Sequence, residues 1–337
     1  MKKLYTMFAA VLVIAFVLSA CAAPTPAATQ APAPTSAPAA TSAPAATQAP
    51  APTTAPAATP TAAATATTAA PTPVASVPAD KLAQKNHLLI CTDFPYPPQE
   101  FFDENGDPKG LDVDLGTEIA ARLGLKVQFV NSVFDTIIAA VNSGKCDIII
   151  SAQNITADRQ KQVSMIPYFQ AGQAFVAMKG NPENINGPED LCGKSAAAES
   201  GTTEADYLQG TGDYKGKGLN ADCTKAGKPA INVIVAQKDT DALQQLQAGK
   251  VAVYFTDSPV AAYYTVQHPD QFQLVGKVLE PAQEGISVPC GADDCTGKPL
   301  SAIGQAVQAT LKSMIADGTY AKILNTWNLS SGAVALP

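Results

Sequence analysis

Short apolar runs alternate with helical spacings of apolar residues along most of the chain after about residue 88. Residues 88–92 form an apolar run typical of a buried strand, and residues 115–123 carry leucine or isoleucine at every fourth position, typical of an amphipathic helix. Alternating apolar residues at 125–129, a helical pattern at 134–142 and an apolar run at 147–151 continue the series. This order of strand, helix, strand, helix, strand predicts an α/β fold whose strands are joined by right-handed crossovers.

The pattern of residues 137–151 returns at residues 241–256. Each segment has an amphipathic helix, a Gly-Lys pair that ends it and then a buried strand. The two strands end in the small polar residues Ser151 and Thr256, and ligands of open α/β sheets usually bind at that edge. A further strand-to-helix turn lies at residues 196–203. The repeat therefore predicts two similar lobes whose strand ends face one cleft.

The amino-terminal residues have the pattern of an export signal. Lys2 and Lys3 precede an apolar run at residues 4–20, which is at the lower limit for spanning a bilayer. The run ends in Leu-Ser-Ala followed by Cys21, which resembles a bacterial lipoprotein box. We therefore expect residues 1–20 to be a lipoprotein signal peptide and Cys21 to carry lipid. Such an anchor would hold the protein on the outer side of the cell membrane, in the periplasm or at the cell surface.

A polar and proline-rich stretch follows Cys21. Residues 22–79 consist almost entirely of Ala, Pro, Thr, Ser and Gln, and 13 of the 27 prolines lie there. Proline lacks a backbone donor, and the stretch has few large apolar groups to bury. We expect residues 21–81 to form a disordered tether, with the folded part beginning at about residue 82.

Charged residues lie almost entirely in the rest of the chain. There are 22 basic and 29 acidic residues, a formal net charge of −7, and residues 4–79 contain none of them. An acidic chain argues against binding of nucleic acid, since phosphate contacts need clustered Lys and Arg. Two histidines leave little room for a His-based metal site. We expect neither a metal nor a cofactor.

Seven segments resemble those of one protein family, in the same order. They are Thr92-Asp93-Phe94-Pro95-Tyr96-Pro97-Pro98, Gly110-Leu111-Asp112-Val113-Asp114-Leu115, residues 134–145, residues 151–159, Pro167-Tyr168, Ser200-Gly201-Thr202-Thr203 and Asp317-Gly318-Thr319-Tyr320. Their order and spacing over residues 82–330 identify the chain as a member of family 3 of the extracellular solute-binding proteins. These are the receptors of bacterial amino-acid ABC importers.

The resemblance implies a two-lobed periplasmic-binding-protein fold of type II. Each lobe would be a mixed, mostly parallel sheet flanked by helices, and two hinge strands would join the lobes. Lobe 1 would comprise residues 82–172 and 288–332, and lobe 2 residues 173–287. By the same resemblance, the protein would be a monomer that closes on a free amino acid and delivers it to an ABC permease without chemical change.

Two other functions stay open on the residues alone. A receptor that reports to a membrane sensor would have the same binding site. A cyclohexadienyl dehydratase group also shares the fold, and Glu199 would then be a general acid with a raised pKa. Since the sequence has no recognisable nucleophile–base pair or metal constellation, we expect a binding protein and not an enzyme.

A free amino acid carries a carboxylate and an ammonium, and burial of both needs a partner for each. Arg159 is one of two arginines in the chain, and a planar guanidinium matches a carboxylate in a bidentate way. The resemblance assigns the ligand carboxylate to Arg159, together with Thr202 and Thr203 at a helix start. It assigns the ammonium to Asp257, which would otherwise be an ordinary helix cap.

The other candidates concern the rest of the ligand. By resemblance, Asp93, Tyr96 and Phe134 line the side-chain pocket, with an aromatic ring packed on the ligand. Ser151 and Asn154 match positions that hydrogen-bond its polar head.

The chain departs from many relatives at two of its polar residues. Gln99 stands where Phe is common, and Glu199 stands where an uncharged residue is common. Together with Asp93 they would form an acidic, polar pocket that favours a basic or amide side chain. The alternative is that Glu199 points to solvent.

Six cysteines follow Cys21, and they allow 15 pairings. In an exported protein we expect two disulfides. Cys192 and Cys223 each precede a strand at the same end of the lobe 2 sheet and should form Cys192–Cys223, and Cys290 and Cys295 bracket a short loop and should form Cys290–Cys295. Cys91 lies late in its strand, whereas Cys146 precedes its strand. That offset corresponds to about 13 Å between parallel neighbours, too far for a bond, so we expect two buried thiols.

Overall fold

The computed structural model describes residues 75–279 and 281–336, which belong to one compact unit. The strands are β1 (His87–Thr92), β2 (Phe101–Phe102), β3 (Pro108–Lys109), β4 (Lys126–Asn131), β5 (Ile148–Ile149), β6 (Ser164–Ala171), β7 (Gln173–Met178), β8 (Ser195–Glu199), β9 (Asn232–Ala236), β10 (Val253–Asp257), β11 (Phe272–Val275) and β12 (Ala282–Val288). The α-helices are α1 (Leu111–Arg122), α2 (Ile137–Asn142), α3 (Ala157–Gln162), α4 (Thr203–Gln209), α5 (Leu219–Lys225), α6 (Asp239–Gln247), α7 (Ser258–Gln267), α8 (Ala302–Ala316) and α9 (Thr319–Thr326).

Two five-stranded sheets have matching patterns of parallel and antiparallel strands. The lobe 1 sheet runs β4-β1-β5-β12-β6, and the lobe 2 sheet runs β9-β8-β10-β7-β11. In each sheet the first three strands are parallel and the fourth is antiparallel to the third. The prediction of an α/β fold with two similar lobes is therefore confirmed, and the internal sequence repeat corresponds to the third strand of each sheet.

Apolar side chains fill both faces of each sheet. In lobe 1, Leu115 and Ile119 of α1 are fully buried against Ile90 and Ile148, with α8 and α9 completing that layer. The second face of the lobe 1 sheet packs against α2, and lobe 2 has two corresponding layers. Each fully buried aliphatic side chain stabilises the fold by roughly 1.5–3 kcal/mol relative to an exposed one. Residues four apart lie on the same face of a helix, so the apolar residues of α1 recur at that spacing on its buried face.

The chain crosses between the lobes twice, and the two crossings touch. The first is at Gly172, between β6 and β7, where an added Cβ atom would lie 2.6 Å from the carbonyl oxygen of Leu279 in the second crossing. The amide of Leu279 also donates to the carbonyl of Gln173 over 2.8 Å. Such paired strands at the junction are the hinge that a two-lobed closure needs.

The chain returns to lobe 1 earlier than the expected boundary between residues 287 and 288. All of β12 pairs with β6, from Ala282 opposite Ala171 to Val288 opposite Ser164, so the crossing precedes β12. The expectation failed because an apolar strand carries no local signal of the sheet that it joins.

The expected end of the tether at residue 81 is also too late. Ala75 and Val77 pack against the lobe 1 core, and the amide of Ala83 donates to Asp147 over 2.7 Å. Sparse apolar residues are enough to dock this segment because the adjoining domain offers an apolar surface. The expected signal peptide, Cys21 and most of the expected tether lie outside the described residues.

Three disulfides are present, of which two match the expected pairs Cys192–Cys223 and Cys290–Cys295. The third joins Cys91 to Cys146, with Cα atoms 5.7 Å apart, and the expectation of two thiols was wrong. The offset estimate assumed extended chain through Cys146, whereas β5 begins only at Ile148 and Cys146 lies in a bend.

None of the described helices combines the length and the apolar composition needed to cross a bilayer.

Candidate functional site

The carboxyl ends of parallel strands from both sheets face a cleft with about 380 Å³ of empty volume. Asp93 and Ser151 follow β1 and β5 of lobe 1, whereas Glu199 and Asp257 are the last residues of β8 and β10 of lobe 2. Such strand ends are the usual ligand position of open α/β sheets.

Ten of the eleven residues predicted from the sequence line this cleft: Asp93, Tyr96, Phe134, Ser151, Asn154, Arg159, Glu199, Thr202, Thr203 and Asp257. The exception is Gln99, which is fully buried inside lobe 1. Its neighbour Glu100 lines the cleft instead, so the two successive side chains point in different directions. Glu199 is 6% exposed, so the alternative that it points to solvent is excluded.

Six further residues of the lining were not predicted from the sequence: Pro95, Glu100, Ala152, Glu204, Lys238 and Asp239. Lys238 and Asp239 lie two and three residues after the end of β9, a strand end that the repeat did not include. The rule of parallel strand ends would have found them once β9 was assigned. Glu204 directly follows the Gly-Thr-Thr turn, but the pattern gave no sign that its side chain is buried.

Arg159 lies on α3 and is the cation of the lobe 1 wall. Its two terminal nitrogens donate to the carbonyls of Asn154 and Gly201, over 2.7 and 2.9 Å. The guanidinium also lies 5.3 Å from the ring centroid of Phe134, within cation–π range. Burial lowers the pKa of Arg159, although nearby carboxylates oppose the shift. Two of its five donors therefore fix the guanidinium plane, and the others remain for an anion.

The Thr202 and Thr203 hydroxyls are already occupied. Thr202 accepts from the amide of Ala205, which caps α4, and donates to the carbonyl of Glu199. Thr203 accepts from Asn154 and donates to Glu204 over 3.2 Å. What this turn can still offer a ligand carboxylate is its backbone N–H groups, since both hydroxyl hydrogens are committed.

Tyr96 of lobe 1 reaches Asp257 of lobe 2. Its hydroxyl lies 2.8 Å from Oδ2 of Asp257 and 3.0 Å from the Thr256 hydroxyl. Asp257 is 2% exposed, and burial raises its pKa well above the usual range, with the nearby Glu204 carboxyl adding to the shift. The other oxygen, Oδ1, has no protein partner among the described residues.

A second group of acids lies at the other side of the cleft. Lys238 of lobe 2 donates to the carbonyl of Phe94 over 2.6 Å and lies 3.4 Å from Oδ1 of Asp93. Burial raises the pKa of Glu199 to about 10, and the carboxylates of Asp239 and Asp93 add to the shift. Burial also raises the pKa of Asp239 to about 7. One lysine and three carboxyl groups therefore line this part of the cleft, and the lysine pairs with Asp93.

The contacts between lobes place the structure in a closed form. The Tyr96–Asp257, Arg159–Gly201 and Lys238–Phe94 hydrogen bonds each join one lobe to the other. They can form only while the lobes are together, so they would break on opening.

Behind the lobe 1 wall lies an interior cluster, defined by Asp112, Tyr168 and Glu284. All three are fully buried outside the cleft lining, and the Tyr168 hydroxyl donates to Asp112 over 2.8 Å. Asp112 also accepts from the amide of Ala152, whose φ of 43° is in the left-handed region. Two family segments, at residues 110–115 and 167–168, thus meet to hold the turn that follows β5.

In the described part of the chain, no three side chains of His, Cys, Asp or Glu are grouped so that they would hold a metal ion.

Comparison with known proteins gives one consistent family. The model of the bacterial extracellular solute-binding proteins, family 3, matches residues 88–330. The arginine-binding protein of Corynebacterium glutamicum is 26% identical over 265 residues, which cover 78% of this chain and 82% of that protein.

Solved structures agree with this match. An ancestral arginine-binding protein bound to glutamine is 35% identical with a TM-score of 0.62, covering 73% of this chain and 99% of that one. An ancestral amino-acid-binding protein described as a precursor of cyclohexadienyl dehydratase is 30% identical with a TM-score of 0.59, covering 72% and 95%. Two-lobed amino-acid-binding proteins thus share the fold of this chain.

Proposed function

The chain belongs to the bacterial extracellular solute-binding proteins of family 3, and from that premise we propose that it binds a free basic amino acid in the cleft. Arginine and lysine are the preferred ligands in this proposal. The relatives named above support the amino-acid class, and the charges of the cleft support the basic side chain.

The observation that carries the proposal is a set of buried acceptor atoms without partners among the described residues. Five of them belong to residues of the cleft lining: Glu100 Oε2, Asn154 Oδ1, Glu204 Oε1, Asp239 Oδ2 and Asp257 Oδ1. Each such group costs about 1–3 kcal/mol while it lacks a hydrogen bond. Among the lining residues, no side-chain donor atom is buried without a hydrogen-bond partner. A ligand rich in N–H groups would satisfy them, and arginine offers five on its guanidinium alone.

The charge of the lining points the same way. Six carboxyl groups face the cleft, from Asp93, Glu100, Glu199, Glu204, Asp239 and Asp257, against the two cations Arg159 and Lys238. Burial without enough positive charge is what raises the pKa of these acids. A cationic ligand would supply that charge and let the acids ionise.

In the proposed complex each part of the ligand has a partner. Arg159 and the backbone at Thr202 and Thr203 would hold the carboxylate, and Asp257 would hold the ammonium. The ligand side chain would extend towards Asp93 and Glu199.

The remaining lining residues would form the walls of the cleft. Tyr96 and Phe134 would flank the ligand, while Ser151 and Asn154 would support its polar head. In this proposal the protein carries out no chemical change.

Closure of the lobes around the ligand would be the signal to the partner. The hydrogen bonds across the cleft form only in the closed state, so a permease could distinguish loaded from empty protein by shape. The proposal includes delivery to an ABC permease. It also includes a lipid anchor at Cys21 that keeps the monomer at the outer side of the cell membrane.

Calorimetric titration of the purified protein with each of the twenty amino acids tests the proposal. Arginine or lysine should bind, and at 100 times its Kd the ligand should stabilise the fold by about 2.7 kcal/mol. Aspartate and glutamate should not bind. Preference for an acidic amino acid, or no binding of any α-amino acid by protein shown to be folded, would overturn it.

A further inference from the structure

Glu204 is an additional acid at the ammonium end of the cleft. It is the second residue of α4 and is 2% exposed. Its Oε2 accepts from the Thr203 hydroxyl over 3.2 Å, whereas Oε1 accepts from no N–H or hydroxyl group among the described residues. Its carboxyl group is a hydrogen-bonding neighbour of the Asp257 carboxyl. Two buried carboxyl groups therefore lie at the end of the cleft where a zwitterionic ligand needs only one to pair with its ammonium.

Glu204 also changes the electrostatic surroundings of Arg159. In the described part of the chain, no carboxylate lies within salt-bridge distance of that guanidinium, and the carboxyl of Glu204 is its largest source of compensating charge, followed by Asp257. Arg159 is thus stabilised in part by the protein itself. Its need for a carboxylate from the ligand is correspondingly smaller.

The charges at this end can be counted in the ionised state. Arg159 contributes one positive charge, and Asp257 and Glu204 contribute one negative charge each. The amino and carboxylate groups of an amino acid are neutral together and would leave one negative charge uncompensated, which a retained proton must remove. A bare ammonium would compensate the same three groups completely.

We propose that Glu204 allows the cleft to bind amines that lack the α-carboxylate, so that the ligand class includes decarboxylated basic amino acids. This inference rests on the proposed function, because it assumes that Arg159 and Asp257 face the α-carbon end of the ligand. A diamine or guanidino-amine would place its primary ammonium between Asp257 and Glu204, with its second cation towards Asp93 and Glu199.

The two ligand types should differ in the protons that they displace. Two neighbouring buried carboxyls share a proton, since both cannot ionise cheaply without a counter-charge. The zwitterion would leave that proton in place, whereas the bare ammonium would release it. Amine binding should therefore strengthen as pH rises through the range in which the pair titrates, and arginine binding should depend less on pH.

Calorimetric titrations with L-arginine and with agmatine, which is arginine without its α-carboxylate, provide the test. The protein should bind agmatine within about tenfold of its affinity for arginine and release more protons with agmatine, as measured in two buffers of different ionisation enthalpy. Glu204→Gln should weaken agmatine at least about tenfold more than it weakens arginine, because only the bare ammonium needs both carboxyls ionised.

Three results would overturn either this inference or the proposed function. Binding of arginine without measurable binding of agmatine would overturn this inference and leave the proposed function intact. Equal weakening of both ligands by Glu204→Gln would also overturn it, because Glu204 would then be a general part of the site. Binding of neither ligand would remove the proposed function itself. If Glu204→Gln does not fold, the comparison of the two ligands on the unmodified protein still decides.

Discussion

Two buried clusters combine a tyrosine with carboxyl groups, and they differ in their access to ligand. The cleft cluster consists of Tyr96, Glu204 and Asp257, and the interior cluster consists of Asp112, Tyr168 and Glu284. In both, burial raises the pKa of the carboxyls. Only the cleft cluster borders the space between the lobes.

This difference shows that a raised pKa alone does not mark a binding site. The interior cluster does structural work, since Asp112 holds the amide of Ala152 in a turn that few residues other than glycine adopt readily. Both clusters contain a buried carboxyl oxygen that accepts no N–H or hydroxyl donor among the described residues, but only those of the cleft cluster border the space that a ligand can enter. Mutations should therefore separate the two clusters, with affinity depending on the cleft and stability on the interior.

The largest effect on affinity should come from Arg159→Ala. Loss of a buried, hydrogen-bonded charge partner costs about 2–5 kcal/mol, so the Kd for arginine should rise by about 30-fold to about 5,000-fold in calorimetric titration. Arg122→Ala is the matched control, since Arg122 is the other arginine and pairs with Glu118 and Asp317 away from the cleft. It should lower Tm and leave affinity nearly unchanged.

Replacement of single carboxyls should come next. Asp257→Asn should weaken arginine binding by about 30- to 100-fold, because an amide cannot replace the charge opposite the ammonium. Glu284→Gln keeps the shape of an equally buried acid in the interior cluster and should leave affinity within about threefold. Similar losses in both variants would show that the two clusters act as one unit.

The interior cluster should appear in the pH dependence of stability. Burial raises the pKa of Asp112 from 3.8 to about 7, so the folded protein holds more protons than the unfolded chain between these values. Protonated Asp112 therefore adds to the free energy of unfolding at low pH, and this addition is lost as pH rises towards about 7.

The free energy of unfolding should accordingly fall by about 2–3 kcal/mol from this group between pH 5 and pH 8. Asp112→Asn should flatten the curve measured by denaturant unfolding at each pH. A curve with the same slope as the original protein would mean that Asp112 does not titrate in this range.

The smallest effect should come from the tyrosine hydroxyls. Tyr96→Phe removes a hydrogen bond of 2.8 Å to Asp257 and should weaken binding by about 2- to 10-fold, the usual range for a single hydrogen bond. Tyr168→Phe removes the equivalent bond to Asp112 and should lower Tm with little effect on Kd. The reverse assignment of the two effects would contradict the separation of the clusters.

Much of the fold could be predicted because the hydrophobic pattern reflects burial directly. The repeat at Ser151 and Thr256 located two equivalent strand ends, and the residues beside them line the cleft. The sheet that β12 joins could not be read from its own residues, because its pairing with β6 depends on chain segments more than 100 residues away.

The site was predicted least well where burial decides the chemistry. Glu204 and Asp239 lie in the first turn of a helix, where acidic side chains are usually exposed. Only the tertiary structure shows that these two are buried. The Cys91–Cys146 bond was missed for a related reason, since a local bend, not strand register, sets the distance between the two cysteines.

The most direct test of the central claim is a comparison of L-arginine with L-citrulline by calorimetric titration of the purified protein. Citrulline has nearly the same shape but no side-chain charge, so it keeps the contacts of the α-carbon end and loses the attraction of the surplus carboxyls. The account predicts that citrulline binds at least about tenfold more weakly than arginine. Citrulline binding as tightly as arginine, or more tightly, would contradict selection of a cationic ligand by this cleft.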